Sequence, residues 1–191
     1  MRCLICESLS LKHICNSCQK EHLTPSLYKR RLQDGTLVLS FYKYNDIKDL
    51  LHTKHTDIGF YIYKTLAKNS LKKFAENFIL DEKIVSIAID DNPNGKYSHT
   101  AILNKTLDSS RIKPLHNKLI ARNSVSYSGK SKAYRLSNPR DFKLEKFKQK
   151  SVILVDDIIT TGSTLLEAVN TLKAADKEVL LCLTLCDVSQ K

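Results

Sequence analysis

Apolar residues along this chain fall into two rhythms. Leu37-Val38-Leu39-Ser40-Phe41-Tyr42 has strand character, as does Ile84-Val85-Ser86-Ile87-Ala88-Ile89, a β-branched run suited to burial on both faces. Between them, Ile47–His52 and Asp57–Phe78 carry apolar positions at helical spacing (Ile58, Ile62, Leu66, Leu71, Ala75), with Asp57 as the expected N-cap of one long helix. A turn-rich loop from Asp90 to Gly95, a helix over Ser98–Leu107 and a strand over Leu115–Ala121 follow. Val152–Val155 is a short apolar strand, Leu165, Leu166, Ala168, Val169 and Leu172 mark a helix, and Val179–Cys186 forms a last strand. Alternation of this kind predicts a parallel sheet flanked by helices, with ligands bound beyond the carboxyl ends of the strands.

Composition narrows the class. At 191 residues, with hydrophobic residues at 42% and charged residues at 27%, the chain is expected to fold as one ordinary domain with a small appendage. No apolar run approaches the roughly 18 residues of a membrane span, and the start leads into no signal-peptide core, so a cytoplasmic protein is expected. The net charge of +11 is concentrated: Lys105–Lys150 holds thirteen bases against three acids. Such a segment favours a polyanion, whether nucleic acid, a phosphorylated metabolite or acidic headgroups at a membrane surface.

Cys3, Cys6, Cys15 and Cys18 read C-x2-C-x8-C-x2-C. In a reducing compartment this spacing predicts four thiolates around a structural Zn²⁺, which supplies the stability that twenty residues cannot bury for themselves. His13 and His22 are not needed as ligands. The polar, basic stretch Gln19–Arg31, ending in Asp34-Gly35, reads as a linker, dividing a zinc-finger lobe (1–33) from the main domain (34–191). Cys182 and Cys186 are expected to be buried thiols in the last strand.

Ser151–Leu165 reads SVILVDDIITTGSTL: a strand, two carboxylates at its end, a hydroxyl-rich loop and a helix start. Backbone N–H groups at a helix N-terminus favour a phosphate, and Gly162 lets the chain approach it closely. Thr160, Thr161, Ser163 and Thr164 add hydroxyl donors, while Asp156 and Asp157 accept hydrogen bonds from ribose hydroxyls and hold Mg²⁺ through water. The chemistry is that of a sugar-phosphate site.

VILVDDIITTGST resembles the phosphoribosyl-pyrophosphate (PRPP) motif of type I phosphoribosyltransferases. Together with the four-cysteine amino end, the chain resembles the ComF family of competence proteins. Phe41-Tyr42-Lys43-Tyr44 and Lys54 look like that family's tyrosine-rich strand and following lysine, and Arg122, Arg135, Asn138 and Phe142 look like its arginine-rich segment. Around Tyr97-Ser98-His99-Thr100 the chain departs: Gly95 stands in place of an arginine and His99 in place of a glutamine. The resemblance implies a type I phosphoribosyltransferase-like α/β domain that uses Mg²⁺ with PRPP. Asp156 and Asp157 would be the catalytic pair, Thr160–Thr164 the 5′-phosphate loop, and Arg122, Lys130, Lys132 and Arg135 contacts to pyrophosphate or DNA. It further implies a role in natural transformation, with single-stranded DNA and the uptake machinery at the inner membrane as partners. Tyr127, Tyr134, Phe142 and Phe147 would be available to stack on bases, the alternative being that they fill the core, as is expected of Phe147. The alternative is an active transferase moving ribose 5-phosphate from PRPP to a nucleobase or nucleotide-like acceptor.

Overall fold

The computed structural model describes residues 1–89, 97–123, 134 and 137–190. Its centre is a six-stranded sheet in the order β1-β2-β8-β7-β3-β4. The strands are β1 (Tyr28–Arg31), β2 (Leu37–Lys43), β3 (Ile84–Ala88), β4 (Ile112–Leu115), β7 (Ser151–Ile159) and β8 (Glu178–Asp187). All neighbours run parallel except β1 and β2, a hairpin at one edge. A two-stranded antiparallel ribbon, β5 (Leu119–Ala121) with β6 (Phe142–Leu144), lies apart from it.

The sheet is covered on both faces, as the predicted α/β class requires. On one side pack α2 (Tyr44–Leu51), α3 (Asp57–Asn69), α4 (Leu71–Asn77) and α5 (His99–Thr106), burying Ile62, Tyr63, Leu66 and Leu103 against Ile153 and Val155. On the other pack the β5–β6 ribbon and α6 (Ser163–Ala174), where Leu165, Ala168, Val169 and Leu172 meet Val152 and Leu154. The amino-terminal segment, with α1 (Asn16–His22), shares the first of these cores through Cys3, Ile14, Cys18 and Leu23. Cys182 and Cys186 are fully buried in β8, as expected.

Four local expectations are corrected. The stretch read as a linker holds the end of α1 and the edge strand β1, paired with β2 from Tyr28 opposite Ser40 to Arg31 opposite Leu37. The helix over 57–78 is two helices, because Ser70 leaves helical geometry and turns its hydroxyl onto the Leu66 carbonyl at 2.7 Å. Its N-cap is Thr56, whose side chain accepts from Gly59 N–H, and Asp57 is the first helical residue. The strand over 115–121 is split: Asn117 adopts a left-handed φ of 54°, ending β4 and sending the chain into the separate ribbon. Asp90–Gly95 lies outside the described residues.

Candidate functional site

Alternation along β7 sets the site. Ile153 and Val155 face the α2–α5 side, and Asp157 follows them; Val152 and Leu154 face the α6 side, and Asp156 follows those. The two adjacent carboxylates are therefore turned to opposite faces of one strand end and live in different surroundings.

Asp157, 7% exposed, is held by three groups from three elements. Lys54 Nζ pairs with its Oδ2 at 3.4 Å, His99 Nε2 lies at 3.4 Å, and Tyr63 Oη donates at 3.2 Å. Lys54 sits in the 3₁₀ turn between α2 and α3; its carbonyl and that of Thr56, the N-cap of α3, accept from Tyr97 Oη at 2.6 and 3.2 Å. Gly59 lets α3 approach this turn, since a Cβ there would overlap the Thr53 carbonyl and the Tyr97 hydroxyl. His99 opens α5 beside its N-cap Ser98, and its ring stands edge-on to Tyr63 at 5.4 Å between centroids.

Burial works against ionisation of Asp157, yet Lys54, His99 and the Tyr63 hydrogen bond outweigh it and hold the carboxyl below its usual range. Burial, with the Asp157 charge next to it, pushes Asp156 the other way, up to about 8. The pH consequences are opposite. Asp157 adds stability above the unfolded carboxylate range that is lost as pH falls through its lowered folded value. Asp156 adds stability in full below about pH 4, lost as pH rises toward about 8. Replacing Asp156 with Asn keeps the neutral form, so in EDTA the Asp156→Asn variant is expected to gain on the parent from pH 4 to 8, by several degrees in Tm, and no further above. Parallel melting curves across that range would contradict the assignment.

Past Ile159 the chain enters Thr160–Thr164. Gly162, at φ 81°, is the N-cap of α6 and has no side chain to cap it; of the first-turn N–H groups, that of Ser163 donates to Thr161 Oγ1 at 3.4 Å. The chain is close-packed here: a Cβ on Gly162 would meet Leu32 Cδ2 at 2.9 Å. Thr161 and Ser163 hydroxyls lie 3.0 Å apart on the open side of the turn.

The loop's carbonyls are turned inward by a residue that the sequence reading missed. Arg30 of β1 donates through Nη1 to the Thr160 carbonyl at 2.7 Å and to Asp187 Oδ1 at 3.2 Å, and through Nη2 to the Thr161 carbonyl at 3.5 Å. Asp187 ends β8, is 1% exposed, and also accepts from Ser189 N and Oγ at 2.8 Å each. Carbonyls held from behind leave the α6 end of the loop presenting N–H and O–H groups, an arrangement made for an anion.

Arg122 is an exposed residue at the end of the ribbon, 3.4 Å from Asp141. Lys130, Lys132, Arg135 and Tyr127 lie outside the described residues. In the base-stacking set Phe142 is corrected, since it belongs to the core; Phe147 packs against that core as expected, with Lys177 Nζ 4.4 Å over its ring, and Tyr134 is exposed. Glu167 of α6 accepts from Arg140 N at 3.1 Å and Asp141 N at 2.8 Å, tying the basic segment to the loop's own helix.

At the amino end, the Sγ atoms of Cys3, Cys6, Cys15 and Cys18 all lie within 4.8 Å of one another. A tetrahedral ion bound at about 2.3 Å per sulfur has edges of about 3.8 Å, and Cys6 and Cys15 are 3.8 Å apart. The four thiols fit a metal. N–H donation, chiefly from Cys15, draws Cys3 down to about 6, while burial raises Cys18. His13 instead packs its ring on Tyr61 at 4.6 Å.

Comparisons with known proteins place the carboxyl-terminal part of the chain. Residues 109–191 match the family model of the phosphoribosyl transferase domain. Hypoxanthine phosphoribosyltransferase from Staphylococcus aureus is 18% identical with a TM-score of 0.39, over 65% of this chain and 62% of that one. Orotate phosphoribosyltransferase from Aeropyrum pernix is 16% identical with a TM-score of 0.40, over 90% and 80% respectively. Adenine phosphoribosyltransferase from Saccharomyces cerevisiae is 14% identical with a TM-score of 0.41, over 92% and 90%. No curated protein matches. No helix among the described residues is long and apolar enough to cross a membrane.

Proposed function

We propose that this phosphoribosyltransferase-like chain binds PRPP, with Thr160–Thr164 on the 5′-phosphate and the carboxylates at the end of β7 on the ribose. The observation that carries the reading is the turn itself: a left-handed Gly162, with no side chain of its own, opens α6, and the turn's carbonyls are drawn back by Arg30. Asp156, protonated at neutral pH in the ligand-free chain, would give up that proton to hold Mg²⁺ through water. That ion would neutralise phosphate charge next to the sugar. In the amino-terminal lobe, Cys3, Cys6, Cys15 and Cys18 would hold a structural Zn²⁺. Titration calorimetry with Mg–PRPP tests the assignment: saturable binding is expected, and its loss in the Asp156→Ala/Asp157→Ala variant. Equal affinity in parent and variant would refute it.

The same reading extends to single-stranded DNA in a competence role in the cytoplasm, with the uptake machinery at the inner membrane met through peripheral contact. Its support is the net charge of +11 and an exposed aromatic row. His13 lies 4.6 Å from Tyr61, which lies 5.3 Å from Phe60, with Lys64 6.0 Å over the Phe60 ring. An oligonucleotide that neutralises four phosphates is expected to bind roughly 50-fold more weakly at 200 than at 50 mM salt; a flat salt profile would count against it. Active transfer to a nucleobase or nucleotide-like acceptor is the second reading, with which the domain match over 109–191 is equally compatible. It requires pyrophosphate release when PRPP and an acceptor are supplied together.

A further inference from the structure

Asp157 is over-subscribed for a group whose expected partner is a sugar. Its carboxylate is met by an ammonium, an imidazole and a phenol, and its own side chain is only 10% exposed. The two nitrogen groups differ from the phenol in one respect. Tyr63 is fully buried, whereas the Lys54 and His99 side chains are 32% and 25% exposed, so each touches the acid on one side and solvent on the other.

We propose that Lys54 and His99 are the groups that hold the pyrophosphate of PRPP, resting on Asp157 in the ligand-free chain and passing to the diphosphate as the ribose hydroxyls take their place. This inference rests on the PRPP reading above. Covalent connectivity carries the first half of the argument. In PRPP the diphosphate is attached to C1, and the neighbouring C2 bears a hydroxyl. A carboxylate that accepts from that hydroxyl brings the diphosphate beside whatever already lies on the carboxylate, and here that is Lys54 and His99.

Packing carries the second half. Neither residue owes its position to Asp157. The Lys54 turn is fixed by the Tyr97 hydroxyl and the close approach of Gly59, and His99 is fixed by the start of α5 and the Tyr63 ring. When the acid changes partner, both side chains stay at the rim with only their tips to move. Tyr63 stays with it, so the buried carboxylate keeps one donor throughout. A charge-assisted bond to a polyanion is stronger than one to a single carboxylate, which gives the exchange its direction.

The pair would thus distinguish PRPP from ribose 5-phosphate, which shares its sugar and 5′-phosphate but lacks the diphosphate. Calorimetry on the full chain with PRPP, ribose 5-phosphate and inorganic pyrophosphate tests this, comparing the parent with Lys54→Met, Lys54→Arg and His99→Gln. The preference for PRPP over ribose 5-phosphate is expected to fall at least ten-fold in Lys54→Met and His99→Gln and to be largely restored in Lys54→Arg. Pyrophosphate alone is expected to bind the parent and to bind Lys54→Met at least ten-fold more weakly. An unchanged preference in both variants overturns the proposal, as does a parent that binds ribose 5-phosphate and PRPP equally; either leaves the loop assignment standing. A parent that binds none of the three ligands overturns the loop assignment as well. Should Lys54→Met fail to fold, the pyrophosphate titration of the parent and of His99→Gln decides.

Discussion

Replacing Cys18 with serine is expected to release the amino-terminal metal, taking occupancy from one ion per chain to none, and to melt residues 1–23 off the α3 face. Cys18 is 4% exposed and belongs to the same core as Tyr42, Leu66 and Leu71, so the thiol cluster is a corner of the main core. The lobe's own buried apolar side chains, Ile14 and Leu23 beside the cysteines, cannot offset the cost of ordering some twenty residues. An ion held by four thiolates contributes apparent binding energies of about 10 kcal/mol or more. Without it, a thiol that burial pushes up in pKa faces three others at close range. Since binding requires all four thiolates, occupancy is expected to fall as pH drops and protons compete. The controls are His13→Ala and His22→Ala, both of which are expected to retain the metal. Elemental analysis showing one ion still bound in Cys18→Ser would overturn the four-thiolate assignment, and loss in His13→Ala would move a ligand to the imidazole.

What the sequence disclosed and what it hid follow from how local each signal is. Val152–Thr164 compresses a strand, two acids, a turn and a helix start into one window, and each part of it depends on near neighbours; the four cysteines are equally local. β1 was invisible because Tyr28-Lys29-Arg30-Arg31 shows no apolar alternation: it is an edge strand, half-exposed along its length, where charged residues are the normal protection. The break at Ser70 was hidden because helical spacing of Leu66 and Leu71 continues straight across it. Ser70 is itself buried, and its hydroxyl satisfies a carbonyl internally. The Asp157 cluster draws on residues 94 and 103 positions away, and no spacing rule relates Lys54, Tyr63 and His99 before the sheet is assembled. A signal did exist for Asn117, a residue tolerant of left-handed geometry inside a run read as strand, with Pro114 just before it suited only to a sheet edge.

Arg30→Met is expected to cost about 3 kcal/mol of stability, which for a chain of this size is a fall of roughly 10 °C in Tm, and to weaken PRPP binding about ten-fold. Two effects are superposed in that variant. The first is electrostatic: Asp187 is buried, its Oδ2 has no hydrogen-bond partner among the described residues, and loss of the guanidinium leaves it with the neutral Ser189 donors. The second is geometric: the Thr160 and Thr161 carbonyls lose the donor that turns them away from the α6 end of the loop. A second substitution separates them. In Arg30→Met/Asp187→Asn the uncompensated charge is gone, so most of the stability is expected to return, while the loop carbonyls remain unheld and the affinity stays low. Recovery of both together would make Arg30 a purely structural residue of the sheet edge. Stability and affinity both unchanged in the single variant would show that the loop holds its shape without β1, and the anion site would then depend on β7 and α6 alone.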